Sequence, residues 1–198
     1  MTLESNRNQT LYPVILAVPE QIQTFKPRDR VVFLSRHARR ALKKSADRSG
    51  IRITELLKNE NGMPLPFEGT FWSLTHKNQY VAGVVSPTPV GIDIERIREL
   101  SRGVFRKTAL DCEWALAGAG ERTLMTFYRF WTSKEAVLKA TGIGIKDLLK
   151  CQVRRIIDGR HLSIHYEGQD WLIEHFFHDR YITSIVQNTF QIDWTVEK

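Results

Sequence analysis

Hydrophobic and polar positions along the chain change period several times, and each change predicts an element. Residues 11–18 form a short apolar run broken by Pro13, which reads as a strand. A polar loop follows. Residues 28 to about 49 then take the helical period, with Val31, Val32, Phe33, Ala38, Ala41 and Leu42 as the apolar set and Gly50 as the stop. Asn61-Gly62 and the prolines at 64 and 66 mark a turn or loop. Residues 70–76 are extended. Segments 80–85 and 90–95 flank Ser86-Pro87-Thr88-Pro89 and predict a β-hairpin with a four-residue connection. A helical stretch covers about 110–117 until Gly118 and Gly120 interrupt it, and a longer helix covers about 122–140, closed by Thr141-Gly142-Ile143-Gly144. Segments 161–166, 171–177, 181–187 and 190–196 alternate as strands. The predicted class is α+β with a sheet-rich C-terminal section.

Composition adds constraints. At 198 residues, 42% hydrophobic and 26% charged, the chain is ordinary globular material. A chain of this length buries roughly two thirds of its unfolded surface and requires no disulfide staple. Cys112 and Cys151 occur without a CxxC or a Cys/His cluster at metal spacing, which argues against a disulfide framework and a structural zinc. Residues 11–18 are too few for a membrane span and lack the flanks of a signal peptide, so the expectation is a soluble, cytoplasmic protein without membrane association. The net charge of +7 predicts an anionic partner: nucleic acid, anionic membrane, phosphorylated ligand or acidic protein. Much of it sits on the first helix, as Arg36, His37, Arg39, Arg40, Lys43 and Lys44.

Candidate chemistry begins in the segment Val90-Gly91-Ile92-Asp93-Ile94-Glu95. Side chains alternate faces along a strand, so Asp93 and Glu95 point together, roughly 7 Å apart, opposite Val90, Ile92 and Ile94. Gly91 lies on the carboxylate face and leaves room for another group to approach. A half-exposed strand with its polar face in water explains the alternation equally well. On the long helix, Leu124, Phe127, Tyr128 and Trp131 form an apolar stripe that continues to Glu135, Leu138 and Lys139. Glu135 and Lys139 are an i,i+4 pair, which by itself would be an ordinary solvated ion pair. A carboxylate over aromatics is costly without a partner. Two carboxylates at 4 Å and moderate dielectric repel by about 4 kcal/mol. A bound divalent cation relieves the repulsion among Asp93, Glu95 and Glu135. Oxygen-only ligands select a hard ion, Mg²⁺ before Mn²⁺, completed by phosphate oxygens and water.

Gly91-Ile92-Asp93-Ile94-Glu95, followed by Phe130-Trp131-Thr132-Ser133-Lys134-Glu135-Ala136-Val137-Leu138-Lys139, resembles the two signature motifs of the 4'-phosphopantetheinyl transferases, with Asp93 and Glu135 42 residues apart. Ser73-Leu74-Thr75-His76 resembles the Ser-His segment before the first motif, and Gly142-Ile143-Gly144 the Gly-x-Gly after the second. The likeness covers about residues 36–145. The mid-chain position of the Asp motif resembles the surfactin-synthetase-activating type, which implies a pseudo-dimer of two similar α/β halves, here 1–88 and 89–198, with the ligand between them.

The resemblance implies a reaction: the phosphopantetheine arm of coenzyme A moves to a serine of an apo carrier protein and 3',5'-ADP leaves. It implies Asp93, Glu95 and Glu135 as Mg²⁺ ligands, Lys139 on the pyrophosphate, and Lys134 as a second source of charge for the leaving group. Thr75 and His76 fall where coenzyme A phosphates are contacted. Arg40 and Arg36, with Arg39 between them, fall where an arginine takes the 3'-phosphate. Glu113 falls near a glutamate that helps deprotonate the serine. An acidic acyl, polyketide or peptidyl carrier, a monomeric state and no nucleic-acid role complete the expectation. Two positions depart from the pattern: Gly62-Met63-Pro64 stands where relatives often carry Gly-Lys-Pro, and Lys77 where they often carry serine. Two other readings compete, a non-catalytic basic module for nucleic acid or phosphorylated ligands and a degenerate coenzyme A-binding relative. The first leaves the three carboxylates unexplained.

Overall fold

The computed structural model describes residues 9–60, 62–118 and 123–198. Asn61, Gly120 and Arg122, used in the turn and helix expectations, lie outside the described residues. The chain opens with β1 (Thr10–Leu11) and β2 (Val14–Ala17), separated at Pro13, which has no N–H to give a ladder. A 3-10 turn at Glu20–Thr24 leads into α1 (Pro27–Arg48), with Pro27 in the first turn where its fixed φ suits a helix. Then come β3 (Phe71–His76), β4 (Tyr80–Ser86), β5 (Ile92–Arg96), α2 (Arg102–Thr108), α3 (Asp111–Ala115) and α4 (Leu124–Thr141). After a 3-10 turn at Ile145–Asp147 follow β6 (Gln152–Ile156), β7 (His161–Tyr166), β8 (Gln169–His178), β9 (Tyr181–Val186), β10 (Gln191–Ile192) and β11 (Thr195–Glu197).

The strands form a four-stranded sheet, β11-β2-β4-β3, a five-stranded sheet, β5-β9-β8-β7-β6, and a short parallel pair of β1 with β10. The order β2-β4-β3 recurs as β5-β9-β8, and in each case a long helix follows the first strand. The layers run helix, sheet, sheet, helix. On the outer side of the first sheet, Leu34, Ala38 and Ala41 of α1 meet Val14, Leu16 and Val81. Its inner side, Ile15, Ala82 and Val84, packs on Ile92, Ile94 and Ile185 of the second sheet. The far side of the second sheet, Leu162, Ile164 and Ile173, is covered by Phe130, Val137 and Leu138 of α4. Each buried Val, Leu, Ile or Phe side chain among these contributes about 1.5–3 kcal/mol. The α+β class is as expected.

Four expectations are corrected. Segments 80–85 and 90–95 are not a hairpin: β4 pairs with β2 and β3, whereas β5 pairs with β9, and the Pro87–Pro89 connection carries the chain from one sheet to the other. On α1 the buried side is Leu34, His37, Ala38, Ala41, Leu42, Ser45 and Ala46, while Val31 and Val32 are exposed. Segment 190–196 divides, and β11 returns to pair in parallel with β2 instead of extending the second sheet. The elements α2 and β6 were not expected; α2 is short and contains Gly103, so its helical period is weak.

The seat of α4 depends on Gly91. A Cβ built there would overlap the Ala136 carbonyl oxygen and lie 2.8 Å from the Ala136 carbonyl carbon and 2.9 Å from the Ala140 nitrogen, all backbone atoms of α4. The helix ends at Gly142, whose φ of 74° suits a left-handed cap, with its N–H on the Leu138 carbonyl at 2.9 Å. Gly91→Ala is therefore expected to lose about 3 kcal/mol or more, because the helix backbone has to move away from the strand. Gly103→Ala, with open space around its Cβ, should be neutral or slightly stabilising. Chemical denaturation of the two variants checks this, and equal effects would contradict it.

Candidate functional site

Strand β5 presents Ile92 and Ile94 to the sheet–sheet core and Asp93 and Glu95 to the side covered by α4, as alternation predicts. The space beside Gly91 is filled by α4 itself, which brings Glu135 and Lys139 to the carboxylates. Lys139 Nζ lies 2.7 Å from Asp93 Oδ1 and donates to the Ile92 carbonyl at 3.0 Å. The Thr75 hydroxyl donates to the same Asp93 oxygen at 3.1 Å, so the edge of β3 is tied to β5. Ser73 strengthens that tie by accepting the Ile92 N–H at 3.2 Å. Glu95 Oε1 is paired with Lys77 at 2.7 Å and accepts the Trp131 indole N–H at 3.2 Å. Lys77 thus goes to a carboxylate of the cluster.

The acids remain short of positive charge. Asp93 Oδ2 and Glu135 Oε1 are buried oxygens with no hydrogen-bond partner among the described residues. Glu135 is pushed up to about 7, by burial first and then by the Asp93 charge, against the opposing pull of Lys139. Burial also raises Glu95, with Asp93 adding to it, and the Lys77 contact offsets only part of the rise. Two orphaned carboxylate oxygens and an all-oxygen donor set suit a hard divalent cation. Among the described residues, no three Asp, Glu, His or Cys side chains are already gathered as a metal-holding group. The lysines supply the neutralising charge in this arrangement.

Beside the acids opens a cleft of about 210 Å³, with Glu135, Leu138 and Lys139 on one wall, Ser73 and Leu74 on another, and Lys58 and Met63 on a third. Met63 rests against Gly142: a Cβ there would overlap the Met63 sulfur and lie 2.9 Å from its Cγ. His76, at the end of β3, is held below the ordinary imidazole range by burial and then by the ammonium groups of Lys139, Lys77 and Lys58. Arg36, Arg39 and Arg40 are all exposed on α1. Of these, Arg39 is the one whose charge is felt at Lys58, beside the cleft.

Two expected site residues lie elsewhere. Lys134 is completely buried and makes an ion pair of 2.7 Å with Glu113, itself buried. Lys134 also donates to the Thr108 carbonyl at 2.9 Å, and Glu113 accepts the N–H groups of Leu110 and Val153, each at 2.8 Å. Both charges are spent on each other and on backbone groups, and neither residue lines the cleft. Removing one partner of such a pair costs about 3–5 kcal/mol, because the other is left charged in the core. A single apolar stripe does not describe α4, which is buried on several sides: Phe130, Thr132, Ser133, Lys134 and Val137 all face protein. Sequence reasoning also missed Lys58 and the Trp131 contact to Glu95. A lysine in a loop and a tryptophan on a core stripe carry no signal of their own.

Acids short of counter-charge stand beside a cleft lined by Lys58 and Lys139, an arrangement chemically compatible with phosphate oxygens. Comparison with known proteins agrees: the profile of the 4'-phosphopantetheinyl transferase superfamily matches residues 89–189, and the chain belongs to that superfamily. It is 33% identical over 90 residues to the 4'-phosphopantetheinyl transferase gsp of Aneurinibacillus migulanus, an alignment covering 44% of this chain and 38% of that protein. It is 34% identical over 89 residues to the 4'-phosphopantetheinyl transferase psf-1 of Bacillus pumilus, covering 43% of this chain and 38% of that protein. A longer alignment, 26% identical over 127 residues, joins it to the 4'-phosphopantetheinyl transferase Sfp of Bacillus subtilis strain 168, covering 62% of this chain and 52% of the relative. The chain therefore spans about 38% of the first two relatives and 52% of the third.

The raised Glu135 has a consequence for stability. A carboxyl whose folded value lies above its unfolded one stabilises the fold when protonated; the contribution is fully present below about 4.5 and is lost as pH rises through about 7. Partial exposure limits the loss to about 1–2 kcal/mol. In EDTA the melting temperature is expected to fall across that window, and Glu135→Gln should flatten the fall. An unchanged slope in the variant would contradict the environment assigned to Glu135.

Proposed function

We propose that the chain transfers the 4'-phosphopantetheine arm of coenzyme A to a serine of an apo acyl, polyketide or peptidyl carrier protein. The serine oxygen forms a bond to the phosphorus that carries the pantetheine, the bond from that phosphorus to the nucleotide half breaks, the serine proton is released and 3',5'-ADP leaves. The observation that carries this reading is the meeting of Asp93, Glu95, Glu135 and Lys139 beside the cleft, which Glu135 and Lys139 line, on the two segments that bear the family's motifs. Asp93, Glu95 and Glu135 are the residues to hold Mg²⁺, or Mn²⁺ in its place. When bound, the ion neutralises pyrophosphate charge as the bond breaks.

The chain's own groups do the positioning. Lys139, fixed by Asp93 and the Ile92 carbonyl, sets a positive charge at the pyrophosphate and then at the leaving phosphate. Neutral His76 offers a hydrogen bond to phosphate oxygens, and Thr75 orients Asp93. The arginines of α1 take the 3'-phosphate, with Arg39 favoured by its position relative to Lys58 over Arg36 and Arg40. In this reading residues 1–88 and 89–198 are two similar halves of a pseudo-dimer, the cleft lies between them and the chain works as a cytoplasmic monomer. Among the described residues, no helix is long and apolar enough to cross a membrane. The net charge of +7 suits an acidic carrier, since complementary fields accelerate encounter.

The test is the intact mass of an apo acyl carrier protein after incubation with this protein, coenzyme A and Mg²⁺. The expected result is a gain of one phosphopantetheine group, abolished by EDTA and by Asp93→Asn. No gain on several carriers despite coenzyme A binding would favour a degenerate relative. No gain and no binding would overturn the reading.

A further inference from the structure

Two lysines, Lys58 and Lys139, line the cleft, and Lys77 belongs to the acid cluster beside it; Lys77 is committed to Glu95 and Lys139 to Asp93. Lys58 is different. Among the described residues it makes no ion pair. Burial first, and then the charges of two further cations, Arg39 and Lys139, weaken its hold on its own proton. Like charges gathered without an anion between them raise the energy of the free protein, and an anion seated among them lowers it.

Lys58 is also held in place. Its backbone pairs with Pro64 across a small hairpin. The hairpin is closed by Leu65 N–H to the Leu57 carbonyl at 2.9 Å, Asn59 N–H to the Met63 carbonyl at 2.9 Å and Gly62 N–H to the Asn59 carbonyl at 2.8 Å. At its far side Met63 packs against the left-handed Gly142 at the end of α4. The hairpin is thereby fastened to the helix that carries Glu135 and Lys139, and Lys58 lines the same cleft as they do. Lys58 is exposed, but its backbone is fixed at the cavity wall, and the group that suits a lysine held there is an anion.

We infer that Lys58 is a phosphate-binding residue of the cleft, gripping phosphate oxygens of the donor substrate between Lys139 and Arg39. The inference rests on the transferase reading and names a residue for it that neither signature motif contains. Those oxygens belong either to the pyrophosphate, on the Lys139 side, or to the 3'-phosphate, on the Arg39 side. Lys58 is a positioning and affinity residue, and its loss should act on binding more than on the chemical step.

Titration calorimetry with coenzyme A, 3'-dephospho-coenzyme A and inorganic pyrophosphate tests this on the wild type, Lys58→Met and Lys58→Arg. Lys58→Met should weaken coenzyme A binding by about tenfold or more, the loss of one charge-assisted hydrogen bond. Lys58→Arg should restore most of that loss, and the dependence of affinity on salt should be shallower in the Met variant. An equal loss with pyrophosphate and with the dephospho donor assigns the pyrophosphate; a loss confined to coenzyme A assigns the 3'-phosphate. Wild-type affinity in Lys58→Met, with unchanged salt dependence, overturns the inference and leaves the transferase reading standing. Failure of the wild type to bind coenzyme A overturns both.

Discussion

Where β5 begins, helix and strand backbones meet with no side chain between them. Gly91 gives that contact, and most of the site follows from it. Any Cβ at this position would collide with the Ala136 carbonyl, so the helix sits one side-chain layer closer to β5 than two ordinary residues permit. At that separation Lys139 reaches the Asp93 carboxylate and the Ile92 carbonyl together. Glu135, one residue before the contact, is carried into the field of Asp93 and Glu95, where its carboxyl is pushed up to about 7. The buried Lys134–Glu113 pair fixes the same helix from its other side, joining it to α3 and, through Val153, to β6. A helix fixed at both places has little freedom to relieve the repulsion by moving away. Lys77 and Lys139 balance the charge in part, and the rest is what the proposed divalent cation would balance.

The division of labour between the two sheets follows from the same packing. The inner faces are apolar and interlock through Ile15, Ala82, Ile92 and Ile94. Polar contacts between the sheets occur at their edges, where Ser73 and Thr75 of β3 meet β5. The cleft opens at that edge, so one wall comes from each side of the junction. Residues of α4, of β3 and of the loop around Lys58 and Pro64 line it together.

Much of this was legible in the residues, and the parts that were not share a cause. Alternation in Ile92-Asp93-Ile94-Glu95 is a local property of a strand, so the acids were placed on one face without knowledge of the fold. The Glu135–Lys139 spacing is local to a helix in the same way. The Lys134–Glu113 pair depends on three elements meeting in the core, and nothing within one turn of Lys134 reports it. Val31 and Val32 were assigned to the core because apolar residues at the start of α1 fit the helical period; the sheet below α1 is covered by later turns, and that span is a tertiary fact. The Pro87–Pro89 connection has the length of a hairpin loop, yet its neighbours pair with strands far away, β4 with β2 and β5 with β9. The significance of Lys58 lies in its neighbours from distant segments, the charges of Arg39 on α1 and Lys139 on α4.

The acids at Gly91's strand are assembled with too little positive charge, and the proposed divalent cation would complete it. The most direct measurement is Mn²⁺ binding to the metal-free protein, read by the loss of the free-ion electron paramagnetic resonance signal, without coenzyme A or carrier. The account predicts one bound Mn²⁺ per chain, competed by Mg²⁺ and absent from Asp93→Asn and Glu135→Gln variants that keep the wild-type circular dichroism. Undiminished binding in both variants, or no binding in the wild type, would contradict it.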